Sequence, residues 1–250
     1  MTKLSKLIVF SGAGFSAESG IPVFRGDGLW DKHSIADVCD IRTFPRNRKI
    51  VEQFYDGLRL QMGNAVPHEG YRILKDILPH YEAKVFTSNI DDLHEKAGID
   101  CVHVHGKISD IVCLECGVFS DIGTLTCAEA HKLGLIRHTS GCAKENLKPG
   151  ITFYYEDYDR YPGIFRLKEE LRTLEKDDIV LTIGSSLSVI PVDYWVRHTR
   201  CHRYNINPTH QAGYKRSTKF WRNIYQNSGP GLRELETILE GYRKGIDQST

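Results

Sequence analysis

The chain has 250 residues, of which 40% are hydrophobic and 26% charged, and its formal net charge is +1. That size fits one large domain or one domain with a small inserted module, and the composition is that of a soluble protein with a sizeable core. The near-zero charge gathers neither nucleic acid nor an anionic membrane, no apolar run reaches membrane length, and the N-terminal apolar run is too short for a signal peptide, so a cytoplasmic location is expected.

Lys6 to Phe10 reads as a short buried strand. A stretch rich in glycine and serine follows it, up to Pro22. Helical spacing appears at Val51, Phe54, Tyr55, Leu58 and Met62, and again at Tyr71, Ile73, Leu74, Ile77 and Leu78. Lys84 to Ser88 reads as a second core strand, Asp91 to Ala97 as a short helix ended by Gly98, and Val102 to Val104 as a short strand. Residues 107–150 lack strong periodicity. Phe165 to Leu174 is helical, Asp178 to Ile183 is a third strand halted by Gly184-Ser185-Ser186, Arg203 to Ile206 is a fourth, and Leu232 to Tyr242 is a terminal helix.

Strands that alternate with helices and end in glycine or serine turns predict an α/β fold: an open parallel sheet with helices on both faces. We expect residues 1–30, 82–106 and 151–250 to build it, 31–81 to form a helical insertion, and 107–150 to form a separate small module. Ligands of such sheets bind beyond the carboxyl ends of the strands. The loops at Gly12, Ser88 to Asp91 and Gly184 to Ser186 should therefore share one crevice.

Three features carry chemistry. Gly12-Ala13-Gly14-Phe15-Ser16-Ala17 fits a glycine loop opening a helix, where backbone amides can approach a pyrophosphate. No strand end with an acid follows about twenty residues later, so the common dehydrogenase pattern does not fit. The segment from Ser19-Gly20-Ile21-Pro22 to Phe24-Arg25-Gly26 reads as a flap over the ligand, with Arg25 as a cation for phosphate. Second, four of the seven cysteines cluster: Cys113 and Cys116 as a C-x-x-C pair, then Cys127 and Cys142. Four thiolates can close a structural zinc site, with His138 a rival for the fourth position. Third, Asn89 and Asp91 can together recognise a carboxamide. Strand alternation puts His103 and His105 on one face, and His105, beside Gly106 and the ligand loops, is a candidate general base.

Taken together, Gly12 to Gly26, Thr87 to Asp91 with Leu93, His94, Ala97 and Gly98, His105-Gly106, the cysteine cluster and Gly184 to Pro191 resemble the sirtuins. These are NAD-dependent protein deacylases with a Rossmann-like NAD-binding domain and a zinc-binding module. Gly28-Leu29-Trp30 and Phe54-Tyr55 resemble the branch that includes desuccinylases and demalonylases. The resemblance implies NAD and zinc as cofactors and acylated-lysine proteins as substrates, with nicotinamide and O-acyl-ADP-ribose released. It implies that Gly12, Ala13, Gly14, Ser16 and Ala17 cradle the pyrophosphate, with Phe24, Arg25 and Trp30 on the moving cofactor loop. Ser88, Asn89, Ile90 and Asp91 would meet nicotinamide and its ribose; Gly184, Ser185, Ser186 and Asn207 would meet phosphate or the adenosine ribose. His105 would be the general base, with Asn89 and Asp91 catalytic beside it. Tyr55, Tyr155 and Val189 would meet the substrate, and Cys113, Cys116, Cys127 and Cys142 would bind zinc.

The chain departs from the family pattern at four positions. Ser88 replaces a glutamine, Val23 an aspartate, Tyr155 a glycine in a peptide-pairing stretch, and Leu58 the acid-reading arginine of the desuccinylase branch. An NAD hydrolase or ADP-ribosyltransferase using the same pocket is the alternative reading.

Overall fold

A computed structural model of the chain describes residues 4–22, 33–142, 146–208 and 221–243. Val23, Phe24, Arg25, Gly26 and Trp30, and with them the second half of the proposed flap, lie outside the described residues.

The chain opens with β1 (Lys6–Ser11) and α1 (Ala13–Ala17), then runs through α2 (Ile35–Val38), α3 (Phe44–Gly63) and α4 (Glu69–Ile77). β2 (Glu82–Thr87), α5 (Leu93–Lys96) and β3 (Cys101–His103) follow, and then β4 (Gly106–Cys113), β5 (Phe119–Asp121), α6 (Cys127–Lys132) and β6 (Leu147–Ile151). The last third holds α7 (Gly163–Arg172), β7 (Ile179–Ile183), α8 (Val192–Trp195), β8 (His202–Ile206), β9 (Arg222–Ile224) and α9 (Ser228–Arg243). No helix among the described residues is long and apolar enough to cross a membrane.

Six strands form a parallel sheet in the order β3-β2-β1-β7-β8-β9. Its strands read as continuous apolar runs because both faces are covered. Leu7 and Val9 of β1 pack into a core shared with α3, α4 and α9, while Ile8 and Phe10 pack against α7 and α8 on the other face. Strand order reverses between β1 and β7. β2 lies on one side of β1 and β7 on the other, and a crevice opens at such a point.

The helical insertion starts from local signals. Ser34 and Asp37 form a capping box on α2, Pro45 stands in the first turn of α3, and the His68 ring caps α4 by accepting the Gly70 amide at 2.9 Å. Residues 107–150 are more ordered than the sequence suggests. β4, β5 and β6 form a three-stranded antiparallel sheet, and α6 starts on a Thr126–Glu129 capping box. A register shift between Gly106 and Ile111 breaks the alternation of β4. β6 is hidden in the sequence because it contains Lys148, Pro149 and Gly150. Lys148 is fully buried, and its ammonium is satisfied by Glu156 at 3.1 Å and by the carbonyls of Pro149 and Ile151.

Arg59, the residue after Leu58, points away from the crevice. Its guanidinium donates to the Ile108 and Leu125 carbonyls and pairs with Asp56, fastening α3 to the small sheet. Leu58, one residue earlier, faces the crevice.

Candidate active site

The crevice is a cavity of about 880 Å³ at the carboxyl ends of β1, β2 and β7. Gly12, Ala13, Gly14, Ser16 and Ala17 line it, as do Ser88, Asn89, Ile90, Asp91 and His105. So do Gly184, Ser185, Ser186, Asn207, Tyr55, Tyr155 and Val189. Each described residue that the sequence put near cofactor or substrate thus lines one cavity, whose volume is that of a small-molecule site.

The glycines act differently from expectation. The Gly12 amide donates to the Ile183 carbonyl at 2.9 Å and the Gly14 amide to the Gly184 carbonyl at 2.8 Å. Those two donors are spent on the neighbouring loop, not presented to a phosphate. A Cβ on Gly12 would stand 2.8 Å from Ser185 Cα, and one on Gly14 2.8 Å from Gly184 O. Gly184, at φ 59°, would drive a side chain into Gly14 and the Phe15 amide. The glycines interlock the β1 and β7 loops, and the interlock shapes the cavity floor.

Beneath the cavity runs a buried polar network. Asn89 Nδ2 donates to Gly12 O at 3.0 Å and to Ser16 Oγ at 2.8 Å, and Ser16 Oγ donates to Asp91 Oδ2 at 2.8 Å. Asp91 Oδ1 accepts the Leu93 amide at 3.1 Å, and burial pushes its carboxyl pKa up. Both amide hydrogens of Asn89 are engaged, so Oδ1 is the part of that side chain left for a ligand. Ser88 Oγ lies 3.2 Å from Ser11 O, held against β1.

His105 is placed by backbone. Val104 donates to Thr87 O, Thr152 donates to His105 O at 2.8 Å, and Gly106, at φ 78°, turns the chain into β4 where a side chain would overlap Gly150. The imidazole lies at the cavity wall beside the Tyr158 ring, and burial pushes its pKa down to about 4. The imidazole is therefore neutral at physiological pH. His103, expected on the same face, is not in the cavity. β3 ends there, alternation stops, and its ring faces Asn89 O and Glu95. His94, given no role by the sequence patterns, is fully buried between Phe15 and Tyr71, 3.1 Å from Ser11 Oγ, with its pKa pushed down to about 4 by burial.

The opposite wall is apolar: Phe54, Tyr55, Leu58 and Met62 of α3, with Cys39 and Phe153. Tyr55 stacks on Phe153 with centroids 5.8 Å apart. Tyr155 stands at φ 62°, the left-handed region that suits the family's glycine. Its ring does not fill the cavity. It turns outward, 70% exposed, under the Arg42 guanidinium at 3.5 Å. Leu187, at φ 52°, is the other non-glycine residue at positive φ among those described, and it also lines the cavity. Both strained positions therefore line the cavity.

The metal prediction needs one correction. The donors that converge are Cys113, Cys116, His138 and Cys142, all within 4.8 Å of one another. Cys113 Sγ and Cys142 Sγ are 3.4 Å apart, and Cys116 Sγ is 3.9 Å from His138 Nδ1. Cys127 stands outside this group. It opens α6, its amide donates to Asp56, it packs beside Ile111, Ile122 and Ala130, and burial pushes its thiol pKa up to about 11. Sequence spacing could not separate it from His138, because the choice depends on how α6 folds back over the small sheet. Three thiols and an imidazole form a set that could hold a metal ion.

Residues 12–191 match the Sir2 family. An NAD-dependent protein deacylase of Aggregatibacter actinomycetemcomitans is 32% identical over 211 residues, covering 83% of this chain and 95% of that protein. One from Campylobacter jejuni is 31% identical over 193 residues, covering 76% and 77%. A crystal structure of a Sir2 homolog–NAD complex superposes with a TM-score of 0.72 at 25% identity, covering 97% of this chain and 91% of that one. With its parallel sheet, its interlocked glycine loops and this match over most of its length, the chain belongs to the Sir2 family.

Proposed function

We infer that this protein is an NAD-dependent protein-lysine deacylase. The observation that carries the reading is the single cavity joining the β1, β2 and β7 loops, the neutral imidazole of His105 and an apolar wall. The residues present fit the cofactor: the floor is small and polar, and the Thr152 hydroxyl, buried in the wall next to His105, has no partner among the described residues. Bound NAD supplies an electrophilic anomeric carbon with nicotinamide as its leaving group.

The residues divide that work. The loops carrying Gly12 to Ala17 and Gly184 to Ser186, with Asn207, hold the phosphates and adenosine ribose. Asn89, through Oδ1, and Asp91 orient the nicotinamide end, and Ser16 keeps both in place. His105, neutral and anchored by its own backbone, takes a proton from a ribose hydroxyl. Alignment of the acyl-lysine carbonyl with the anomeric centre supplies much of the rate, and the apolar wall excludes water that would hydrolyse the activated sugar.

The apolar wall also selects the acyl group. Leu58 faces the cavity and Arg59 is committed to Ile108 and Leu125, so no lysine or arginine among the described residues lines the cavity. Acetyl and longer aliphatic acyl groups fit this wall better than succinyl or malonyl, whose carboxylate would be buried unpaired. We propose zinc as the ion of the Cys113, Cys116, His138 and Cys142 cluster: a closed tetrahedral set bracing the small sheet. A cytoplasmic location, where thiols stay reduced, suits that cluster and is part of the proposal.

The short Ser88 side chain, held to Ser11, reaches less far than the family's glutamine, which favours the hydrolase or ADP-ribosyl transfer alternative. One assay separates them. The protein is incubated with NAD and acetyl-, succinyl- or long-chain acyl-lysine peptides, with a control lacking peptide, and nicotinamide release is followed beside acyl loss. Equal yields with acetyl or long-chain peptides, and little nicotinamide without peptide, support the deacylase; nicotinamide release independent of peptide supports the hydrolase.

A further inference from the structure

One side-chain cluster outside the cavity has no part in this reading. Cys101 and His103 share a face of the edge strand β3, and Glu95 reaches them from α5. His103 Nε2 lies 3.0 Å from Glu95 Oε1 and 3.4 Å from Cys101 Sγ, and the three donor atoms lie within 4.8 Å of one another. Zinc bonds of about 2.0–2.3 Å in a tetrahedron separate ligand atoms by roughly 3.3–3.7 Å, so the donors are already close to binding positions.

The other nitrogen of the ring decides the chemistry. His103 Nδ1 faces the Asn89 carbonyl at 2.7 Å, a contact in which the ring must donate. In the neutral imidazole this leaves the Nε2 lone pair aimed at a carboxylate oxygen. Two acceptors cannot face each other at that distance without a cation between them. The cation is either a proton, giving an imidazolium–carboxylate pair, or a metal ion. A metal-bound histidine commonly donates its second nitrogen to a backbone carbonyl in this way. The Cys101 thiol, 3.4 Å from the same nitrogen, adds a third donor, and sulfur, imidazole and carboxylate together suit zinc better than magnesium or calcium. The His103 side chain is 6% exposed and Glu95 37%, so one side of the cluster is open for water as a fourth ligand. Lys107 Nζ, 3.8 Å from Glu95 Oε1, competes for the carboxylate. It is itself partly exposed and can swing into solvent.

We propose that Glu95, Cys101 and His103 form a second, solvent-facing zinc site, separate from the four-residue cluster. An ion there fixes the His103–Asn89 contact, and through it braces from behind the loop that carries Asn89 and Asp91.

None of the three residues lines the cavity, and the test does not depend on deacylase activity. Full-length wild type, Cys101→Ser and Glu95→Gln are brought to equilibrium dialysis with zinc, and bound metal is counted by mass spectrometry. Circular dichroism melts confirm folding. Wild type should hold one zinc more than Cys101→Ser, and Glu95→Gln should bind that additional ion about tenfold more weakly or worse. Cobalt loading should add a thiolate-to-cobalt charge-transfer band that Cys101→Ser lacks while the bands of the other cluster persist. Equal zinc counts and equal cobalt spectra in all three proteins would overturn the proposal and leave a protonated histidine–carboxylate pair.

Discussion

The two walls of the cavity are built on different principles. The polar wall is made by backbone: Gly12 and Gly14 donate into the β7 loop, and Asn89 and Ser16 tie the β1 and β2 loops together. The apolar wall is made by side chains of α3, with Tyr55 stacked on Phe153 and hydrogen-bonded to Cys39. A backbone wall admits few substitutions, since each added carbon meets another main chain. A side-chain wall can change its ligand through one residue. Cofactor recognition therefore belongs to the fold, and acyl choice belongs to this sequence.

That contrast can be broken or sharpened in order of effect. His105→Ala should lower the rate of acyl loss by about 10²–10⁴-fold, the range for a lost general base, while NAD affinity by calorimetry changes little. Gly184→Ala should destabilise the protein by about 2–5 kcal/mol in urea titrations, since it combines strain at φ 59° with overlap against Gly14 and Phe15. Gly57→Ala, on α3 where an added Cβ meets nothing within 4 Å, should instead stabilise by about 0.5–1 kcal/mol. Leu58→Arg should raise the succinyl-to-acetyl ratio of kcat/KM about tenfold by giving the apolar wall a cation, an effect of about 1.4 kcal/mol.

A further effect is on pH dependence. The imidazole pKa of His94 and of His105 is about 4 in the folded protein, against 6.5 for an exposed histidine. The unfolded chain then binds more protons as pH falls. Their share of stability is intact above about pH 6.5, declines as pH drops, and levels off near the folded values. By pH 5.5 each histidine should cost about 1 kcal/mol. Comparing urea midpoints at pH 7.5 and 5.5, His105→Ala should lose about 1 kcal/mol less than wild type.

Much of this molecule was legible because some of its physics is local. β1 and β7 announce themselves as unbroken apolar runs, since a central parallel strand is buried on both faces. The helices α3 and α4 show their buried stripe in the spacing of Val51, Tyr55, Leu58 and Met62 and of Tyr71, Leu74 and Ile77. What stayed hidden depends on distant partners. β6 looks like a loop because Lys148 needs Glu156 and two carbonyls to be buried there. β9, three residues on the sheet edge, is too short for a pattern. His138 replaces Cys127 for reasons of chain path, and His103 parts from His105 because a strand ends between them. The glycine loop was recognisable, yet its glycines serve loop against loop, which no spacing rule distinguishes from loop against phosphate.

The most direct test of the central reading, that one cavity both cleaves NAD and hands the acyl group to its ribose with His105 as base, is a single turnover. Enzyme in excess over an acetyl-lysine peptide is mixed with NAD, and nicotinamide release and acetyl loss are timed in wild type and His105→Ala. Wild type should give the two products in equal amounts. His105→Ala should still release nicotinamide but transfer the acetyl group at least a hundredfold more slowly, about the loss of a general base. Acetyl transfer at the wild-type rate in His105→Ala, or acetyl loss by wild type without NAD, would contradict it.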